Sequence, residues 1–167
     1  MTPVDQDRFV DPVNGQNRGN CLQAVVASLL DLPLDAVPNF VQIEEDGGEM
    51  WDEHLRRWLL ERGWRQQMWV HGAYPGAWPG LPLEKYAAVY GPSPRGLDAN
   101  GKQVFHIVVS KGGVMVHDPH PDRTGITESH GGWWLEAVGD PCPSHPQTPS
   151  EECMVCTVYL SEKGRSQ

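Results

Sequence analysis

The sequence predicts an α+β fold in which an N-terminal helix packs against an antiparallel β-sheet. An amphipathic helical pattern begins at residue 21, and short β-prone segments separated by turn residues fill the second half of the chain. Two of these segments flank a glycine pair and are predicted to form a hairpin. We expect a single domain over residues 1–167, because this length supports one hydrophobic core and is short for two.

The first predicted helix carries a cysteine in its first turn. Residues 1–20 are rich in Pro, Asn, Asp and Gly and are predicted to form an N-terminal arm. Helical spacing then relates the apolar residues Leu22, Val25, Val26, Leu29 and Leu30. Unpaired N–H groups and the helix dipole favour a thiolate at a helix N-terminus, so Cys21 is a candidate nucleophile. The alternative is that Cys21 is one more small buried residue.

The middle of the chain contains a second helix and a strand. Prolines at both ends of residues 33–38 predict a short helical turn or loop, and the acidic residues 43–48 predict a surface loop. Apolar residues at helical spacing over residues 50–62, including two tryptophans, predict the second helix. Residues 64–70 are predicted as a strand and residues 73–83 as a long ordered loop.

The second half is predicted to form the sheet. Residues 86–90 are a short predicted strand, followed by a loop over residues 91–103. The β-prone residues 104–109 and 114–117 are predicted hairpin strands, joined by a tight turn at residues 111–113. No assignment is made for the short segment from Trp133 to Val138.

The hairpin places a histidine and an aspartate at one end of the sheet. His106 lies near the start of its first strand, and Asp118 follows its second strand. Both lie about equally far from the glycine turn, so we expect them to be near cross-strand neighbours. A thiol nucleophile needs an imidazole base and a third group that orients the imidazole. The sequence therefore predicts that Cys21, His106 and Asp118 meet in one site.

These residues resemble the papain-like cysteine peptidase superfamily, most closely the bacterial and phage relatives of the double-glycine-leader peptidases that process bacteriocins. The resemblance covers roughly residues 14 to 120. It is carried by three runs of sequence, which are Gly19-Asn20-Cys21 with Ala24, Phe105-His106-Ile107-Val108-Val109, and Val116-His117-Asp118-Pro119.

The resemblance implies a role for each site residue. Cys21 would be the nucleophile, His106 the base and general acid, and Asp118 the residue that orients the imidazole. The family places an oxyanion-stabilising glutamine six residues before the cysteine. Here Gln16 stands five residues before Cys21, and we assign it that role together with the backbone N–H of Cys21.

Acyl transfer is the chemistry that this set of residues implies. We expect a cysteine hydrolase that cleaves a peptide or amide bond in a peptide or small amide or acyl substrate, through a thioester and without a cofactor. One alternative is an acyltransferase or transglutaminase-like enzyme. Another is a non-catalytic binding module with a tryptophan-lined groove. Candidate cleft residues are Asn20, Trp69 and Trp78.

The tail contains a second cluster of chemically active residues. Residues 139–153 are a predicted proline-rich loop, and residues 154–160 a predicted closing strand. Two residues separate the members of each pair in the set Cys142, His145, Cys153 and Cys156, a spacing that suits a structural zinc. The alternative is that Cys156 faces the core.

A further alternative concerns the histidine-rich stretch after the hairpin. His117, Asp118, His120 and His130 offer ligands for a catalytic metal, which would make the protein a metal-dependent hydrolase. That assignment would leave Cys21 and His106 without roles, and the simpler interpretation is a polar loop.

Composition excludes several classes of partner. The formal net charge of −9 and the lack of a basic cluster argue against nucleic-acid binding. No apolar run is long enough to span a bilayer, and the first residues do not form a signal peptide, so we expect a cytoplasmic protein with reduced cysteines and no membrane partner. The sequence does not predict the oligomeric state.

Overall fold

The structure is a computed structural model, and it describes residues 1–10, 19–70, 83–98 and 100–139. It also describes the backbone of residues 141–142 and 145–149, and the side chains of Trp69 and Val70 lie outside the description. Gln16, Trp78, Cys153 and Cys156 lie outside the described residues.

Three α-helices precede the sheet. Helix α1 spans Cys21–Leu30, and a single 3-10 turn follows at Leu34–Ala36. Helix α2 spans Phe40–Glu45 and helix α3 spans Trp51–Leu60. The sequence predictions for α1 and α3 are confirmed, and of the two alternatives between the prolines the structure shows the helical turn. None of the described helices is long and apolar enough to cross a membrane.

The main sheet has five antiparallel strands. They are β1 (Trp64–Val70), β2 (Tyr86–Leu97), β3 (Gln103–Lys111), β4 (Val114–His117) and β5 (Gly131–Ala137), in the spatial order β1-β5-β2-β3-β4. Two further strands, β6 (Pro141–Cys142) and β7 (His145–Pro149), pair with each other. The described part of the chain is therefore α+β, as predicted.

The core lies between the helices and one face of the main sheet. Residues on that face alternate along each strand with residues on the other face, as the two-residue strand period requires. Ala88, Ile107, Val109 and Trp133 pack in one cluster with residues of the helices, which are Leu22, Val25, Val26, Phe40, Leu55, Trp58 and Leu59. On the opposite face, Ala87, Val89, Val108 and Trp134 form a smaller cluster. The apolar stripe of α1 is therefore held against β2 and β3.

The predicted hairpin forms with the predicted turn. Gly112 and Gly113 both have positive φ angles, 60° and 78°, which a two-residue hairpin turn of type I′ requires at both positions. The register of β3 and β4 shifts between Val109 and Ser110. Asp118 follows β4 directly, at the same end of the sheet as His106.

Hydrogen bonds connect the N-terminal arm to α1 and to the end of β4. The backbone N–H of Val4 donates to Oγ of Ser28 at 2.9 Å, and the carbonyl of Val4 lies 2.9 Å from Nε2 of His117. Two residues later, the N–H of Gln6 donates to the carbonyl of Pro119 at 3.0 Å. The arm therefore fixes the first helix relative to the loop that follows the hairpin.

Three sequence predictions about loops are wrong. Residues 43–45 belong to α2 and not to a loop. The Asn39 side chain accepts a hydrogen bond from the N–H of Gln42 and caps this helix, whereas the acidic run by itself indicates a loop. The predicted loop 91–103 is strand β2 as far as Leu97. Proline is tolerated there because the pairing of β2 with β5 ends at Tyr90. The predicted loop 139–153 contains β6 and β7.

Candidate active site

Cys21 is the first residue of α1, and Asn20 holds the chain in place before it. The side chain of Asn20 is 2% exposed, and its Oδ1 accepts from the N–H of Arg8 at 2.9 Å. Its Nδ2 donates to Asp7 at 2.8 Å and to Gln23 at 2.9 Å. We expected Asn20 to line a substrate cleft, but its amide is engaged in fixing the arm to α1. Cys21 itself is partly exposed.

His106 and Asp118 form a buried pair. The Nε2 atom of His106 lies 2.6 Å from Oδ1 of Asp118, and the two side chains are 5% and 0% exposed. His106 belongs to β3, whose backbone places it opposite Gly91 of β2. Since Nε2 is engaged by the carboxylate, Nδ1 is the ring nitrogen that remains for the sulfur of Cys21.

The Asp118 carboxylate accepts hydrogen bonds at both oxygens. The N–H of His120 donates to Oδ1 at 2.8 Å, and the N–H of Gly125 donates to Oδ2 at 2.7 Å. Arg95 also donates to Oδ2, from Nη2 at 2.9 Å. Burial raises the pKa of Asp118, but the hydrogen bonds from His106, His120 and Gly125 outweigh burial and hold that pKa well below its usual range. The carboxylate is therefore ionised at neutral pH.

The imidazole of His106 interacts with both partners. Burial lowers its pKa, whereas the hydrogen bonds to Asp118 and Cys21, together with the charges on those two groups, raise it to about 9. His106 is therefore protonated at neutral pH. An imidazolium between a carboxylate and a thiol stabilises the thiolate form of that thiol.

A cavity of about 230 Å³ opens beside these groups. Cys21 and His106 both line it, so the sulfur and the imidazole share one accessible space. Apolar walls come from Val10, Leu97, Val104 and Phe105. Polar groups come from Gln6, Ser93, Arg95 and His120. The cavity can hold a small acyl group or a few peptide atoms next to the thiol.

No family model, curated protein or solved structure matches this chain. The arrangement that bears on function is a thiol and an imidazole that line one cavity, with a buried carboxylate that contacts the imidazole.

Most of the cavity residues are not predicted from the sequence as parts of this site, and Arg95, Gln6 and His120 are examples. Arg95 lies in a stretch of prolines and glycines that is typical of a loop, and Gln6 lies in the aperiodic arm. His120 was noted only as a candidate metal ligand. Residues of this kind are found through tertiary structure, because nothing in their local sequence relates them to Cys21.

The structure does not describe the side chains of the remaining predicted oxyanion and cleft residues. Trp69 lies on β1 opposite Gly132, with its side chain outside the description, and Gln16 and Trp78 lie outside the described residues. In the proposed zinc set, the backbones of Cys142 and His145 are register partners in the β6–β7 pair, while Cys153 and Cys156 lie outside the described residues.

The side chains of the histidine-rich stretch contact different partners. His117 contacts the carbonyl of Val4, and His130 lies 3.0 Å from Oε1 of Glu128. Asp118 is engaged by His106. Within the described ranges, His, Cys, Asp and Glu side chains do not form a group of three or more that could hold a metal ion.

Proposed function

We propose that the chain is a papain-like cysteine hydrolase that cleaves a peptide or amide bond through a thioester on Cys21. The observation that supports this proposal is the continuous chain of contacts from Cys21 to His106 to Asp118, beside an open cavity. A thiol, a base and an orienting carboxylate in this order are the parts that nucleophilic acyl transfer requires.

In the first half of the reaction, the Cys21 thiolate attacks the carbonyl carbon of the substrate. The C–N bond of the resulting tetrahedral intermediate breaks, and the leaving amine takes a proton from the His106 imidazolium. The products are a free amine and an acyl group bonded to Cys21 as a thioester. His106 is left neutral and able to accept a proton.

In the second half, neutral His106 accepts a proton from water as the water oxygen attacks the thioester carbonyl. The C–S bond breaks, a carboxylic acid is released, and the thiolate–imidazolium pair is restored. Asp118 keeps Nε2–H of His106 in place throughout, so that Nδ1 faces the sulfur in both steps.

Oxyanion stabilisation in this proposal comes from the start of α1. The backbone N–H of Cys21 belongs to the first helical turn, where amide groups are not used by the helical hydrogen-bond ladder. We propose this N–H as one donor to the carbonyl oxygen in the tetrahedral intermediates, and the Gln16 side chain as the other.

Selective alkylation tests the proposal without knowledge of the substrate. The full chain is treated with iodoacetamide at about pH 6, where an ordinary thiol is nearly all protonated, and modified cysteines are located by mass spectrometry. We expect fast labelling of Cys21 and slow labelling of Cys142, Cys153 and Cys156, which are internal comparators. His106→Ala is expected to abolish the difference.

A second experiment identifies the reaction. Parent and Cys21→Ser protein are incubated with a library of short peptides, and cleavage products and any acyl-enzyme are detected by mass spectrometry. Cleavage by the parent alone, with an acyl adduct on Cys21, is the expected result.

Equal labelling of all four cysteines in the alkylation experiment, unchanged in His106→Ala, would contradict the proposal.

A further inference from the structure

Arg95 joins the Asp118 carboxylate to a second carboxylate. Its Nη2 donates to Oδ2 of Asp118 at 2.9 Å and to Oδ1 of Asp122 at 2.6 Å. Its Nε lies 2.9 Å from the other oxygen of Asp122. The guanidinium therefore binds Asp122 with two nitrogens and reaches Asp118 with one of them.

The hydrogen bonds divide the Asp118 carboxylate into two halves. Oδ1 receives the imidazole of His106 and the N–H of His120, and Oδ2 receives Arg95 and the N–H of Gly125. A carboxylate with two donors on each oxygen cannot rotate without losing several of them. Arg95 is the only side chain among the described residues that hydrogen-bonds to Oδ2.

The side chain of Arg95 is accessible from the cavity that contains Cys21. It is 21% exposed and contributes to the cavity wall. Its positive charge and that of the His106 imidazolium compete for the same buried carboxylate. Asp122 offsets part of this competition, since it binds the guanidinium from the solvent side.

We infer that Arg95 is a positioning residue of the Cys21–His106–Asp118 site, which directs Oδ1 of Asp118 at His106 and limits the negative charge that acts on the imidazole. This inference rests on the proposed function, because it assigns a role in the ion pair of Cys21 and His106. Arg95 acts through Asp118 and is not itself placed against the reacting atoms.

Other charged or titratable groups face Asp118 or Arg95, and they bear on any pH effect. The loop after β4 contributes His120, Asp122 and Arg123, of which Arg123 donates to the backbone carbonyl of Asp118. Further contributions come from Cys21 on α1, His106 on β3, His117 at the end of β4 and Asp5 on the arm. Arg123 is the matched comparison for Arg95, because it carries the same charge nearby without touching the carboxylate group.

Loss of the positive charge of Arg95 and loss of its planar guanidinium are expected to have different effects on the site. Arg95→Met removes the cation that shares Asp118, so the pKa of His106 is expected to rise by roughly 0.5 to 1 unit. Arg95→Lys keeps the charge but loses the planar fork that spans two carboxylates, so the pKa should stay within about 0.3 unit. Because the carboxylate is then less well oriented, Arg95→Lys should slow Cys21 alkylation roughly tenfold.

Histidine NMR measures the first effect directly. The full chain is labelled with ¹³C at its histidine rings and titrated from about pH 5 to about pH 10.5, with the His106 signal assigned by its loss in His106→Gln. Arg123→Gln, which removes the same charge, is expected to shift the His106 titration by less than half as much as Arg95→Met. Cys21 alkylation rates are measured on the same samples.

The possible results separate this inference from the proposed function. Slow, His106-independent labelling of Cys21 in the parent overturns both. Activated Cys21 in the parent, with a His106 titration that is unchanged in Arg95→Met or shifts equally in Arg123→Gln, overturns only the role of Arg95. If circular dichroism shows that Arg95→Met does not fold, Arg95→Gln provides a neutral side chain that still donates a hydrogen bond, and the same criteria apply.

Discussion

Nε2 of His106 and Oδ1 of Asp118 lie 2.6 Å apart, although His106 is within a β-strand and Asp118 is in the loop that follows the next strand. Both side chains are buried, so each group loses its hydration, and the contact between them compensates for that loss. The other ring nitrogen of His106 faces the thiol of Cys21.

The first prediction concerns stability against pH. The pKa of His106 is raised from 6.5 to about 9 by its partners, so the folded chain binds the proton more tightly than the unfolded chain. The resulting stabilisation is fully present below about pH 6.5 and is lost as the pH rises through about 9. We expect the free energy of unfolding in urea to fall by on the order of 3 kcal/mol across this interval.

His106→Gln should remove most of that slope. His117→Gln is the matched control, because His117 is also buried at the end of the hairpin but contacts the carbonyl of Val4. An identical slope in the parent and His106→Gln would show that the ion pair does not contribute to folding.

The second prediction concerns the charge of Asp118. Asp118→Asn keeps the size of the side chain and removes the negative charge beside His106, so the imidazolium is no longer favoured. We expect the pKa of His106 to fall and, under the proposed function, the rate constant for amide cleavage to decrease by about 10²- to 10⁴-fold. Asp122→Asn is a control of the same chemistry at a carboxylate that does not contact His106. A comparable loss in both variants would contradict a specific role for Asp118.

The third prediction concerns Gly125, whose N–H donates to Asp118. Gly125 has a φ of 74°, and a Cβ placed there would lie 3.0 Å from the sulfur of Met115. Gly139 has a φ of 98°, and a Cβ on it would meet no atom within 4 Å, so Gly139→Ala tests backbone strain alone. Each alanine should cost about 1 kcal/mol of unfolding free energy from strain. Only Gly125→Ala should also slow Cys21 alkylation, and unchanged alkylation would contradict the prediction.

The fourth prediction concerns Asn20. Its amide forms hydrogen bonds with Arg8 and Asp7 of the arm and with Gln23 of α1, so Asn20→Ala leaves buried polar groups without partners. We expect a loss of about 1 to 3 kcal/mol in unfolding free energy and slower labelling of Cys21. Asn39→Ala, which removes the cap of α2, should cost about 1 kcal/mol without an effect on labelling. Normal labelling kinetics in Asn20→Ala would show that the arm does not position Cys21.

The sequence predicts best those features of the fold in which a local pattern also determines which residues meet. The α1 helix, its cysteine and the hairpin follow from helical spacing, β-propensity and a glycine turn, all of which are local. The pairing of His106 with Asp118 also followed, because a hairpin returns the chain to its starting end. The assignment of these residues to catalysis stays a prediction.

Other features depended on contacts between distant segments. Strand β2 continues through prolines because its neighbour β5 ends, and β5 itself was too short to assign from sequence. Arg95 and Asp118 are 23 residues apart in sequence, and Gln6 of the arm and Pro119 are still farther apart, yet each pair is joined by a hydrogen bond. Such contacts have no periodicity, so no local pattern predicts them.

The path of the N-terminal arm also bears on the order in which contacts form during synthesis. Residues 4 to 6 leave the ribosome before their hydrogen-bond partners His117 and Pro119. His106 and Asp118 also emerge after α1. A nascent chain that has released only α1 therefore carries Cys21 without its imidazole partner, and the contact between Cys21 and His106 forms only after the hairpin has been translated.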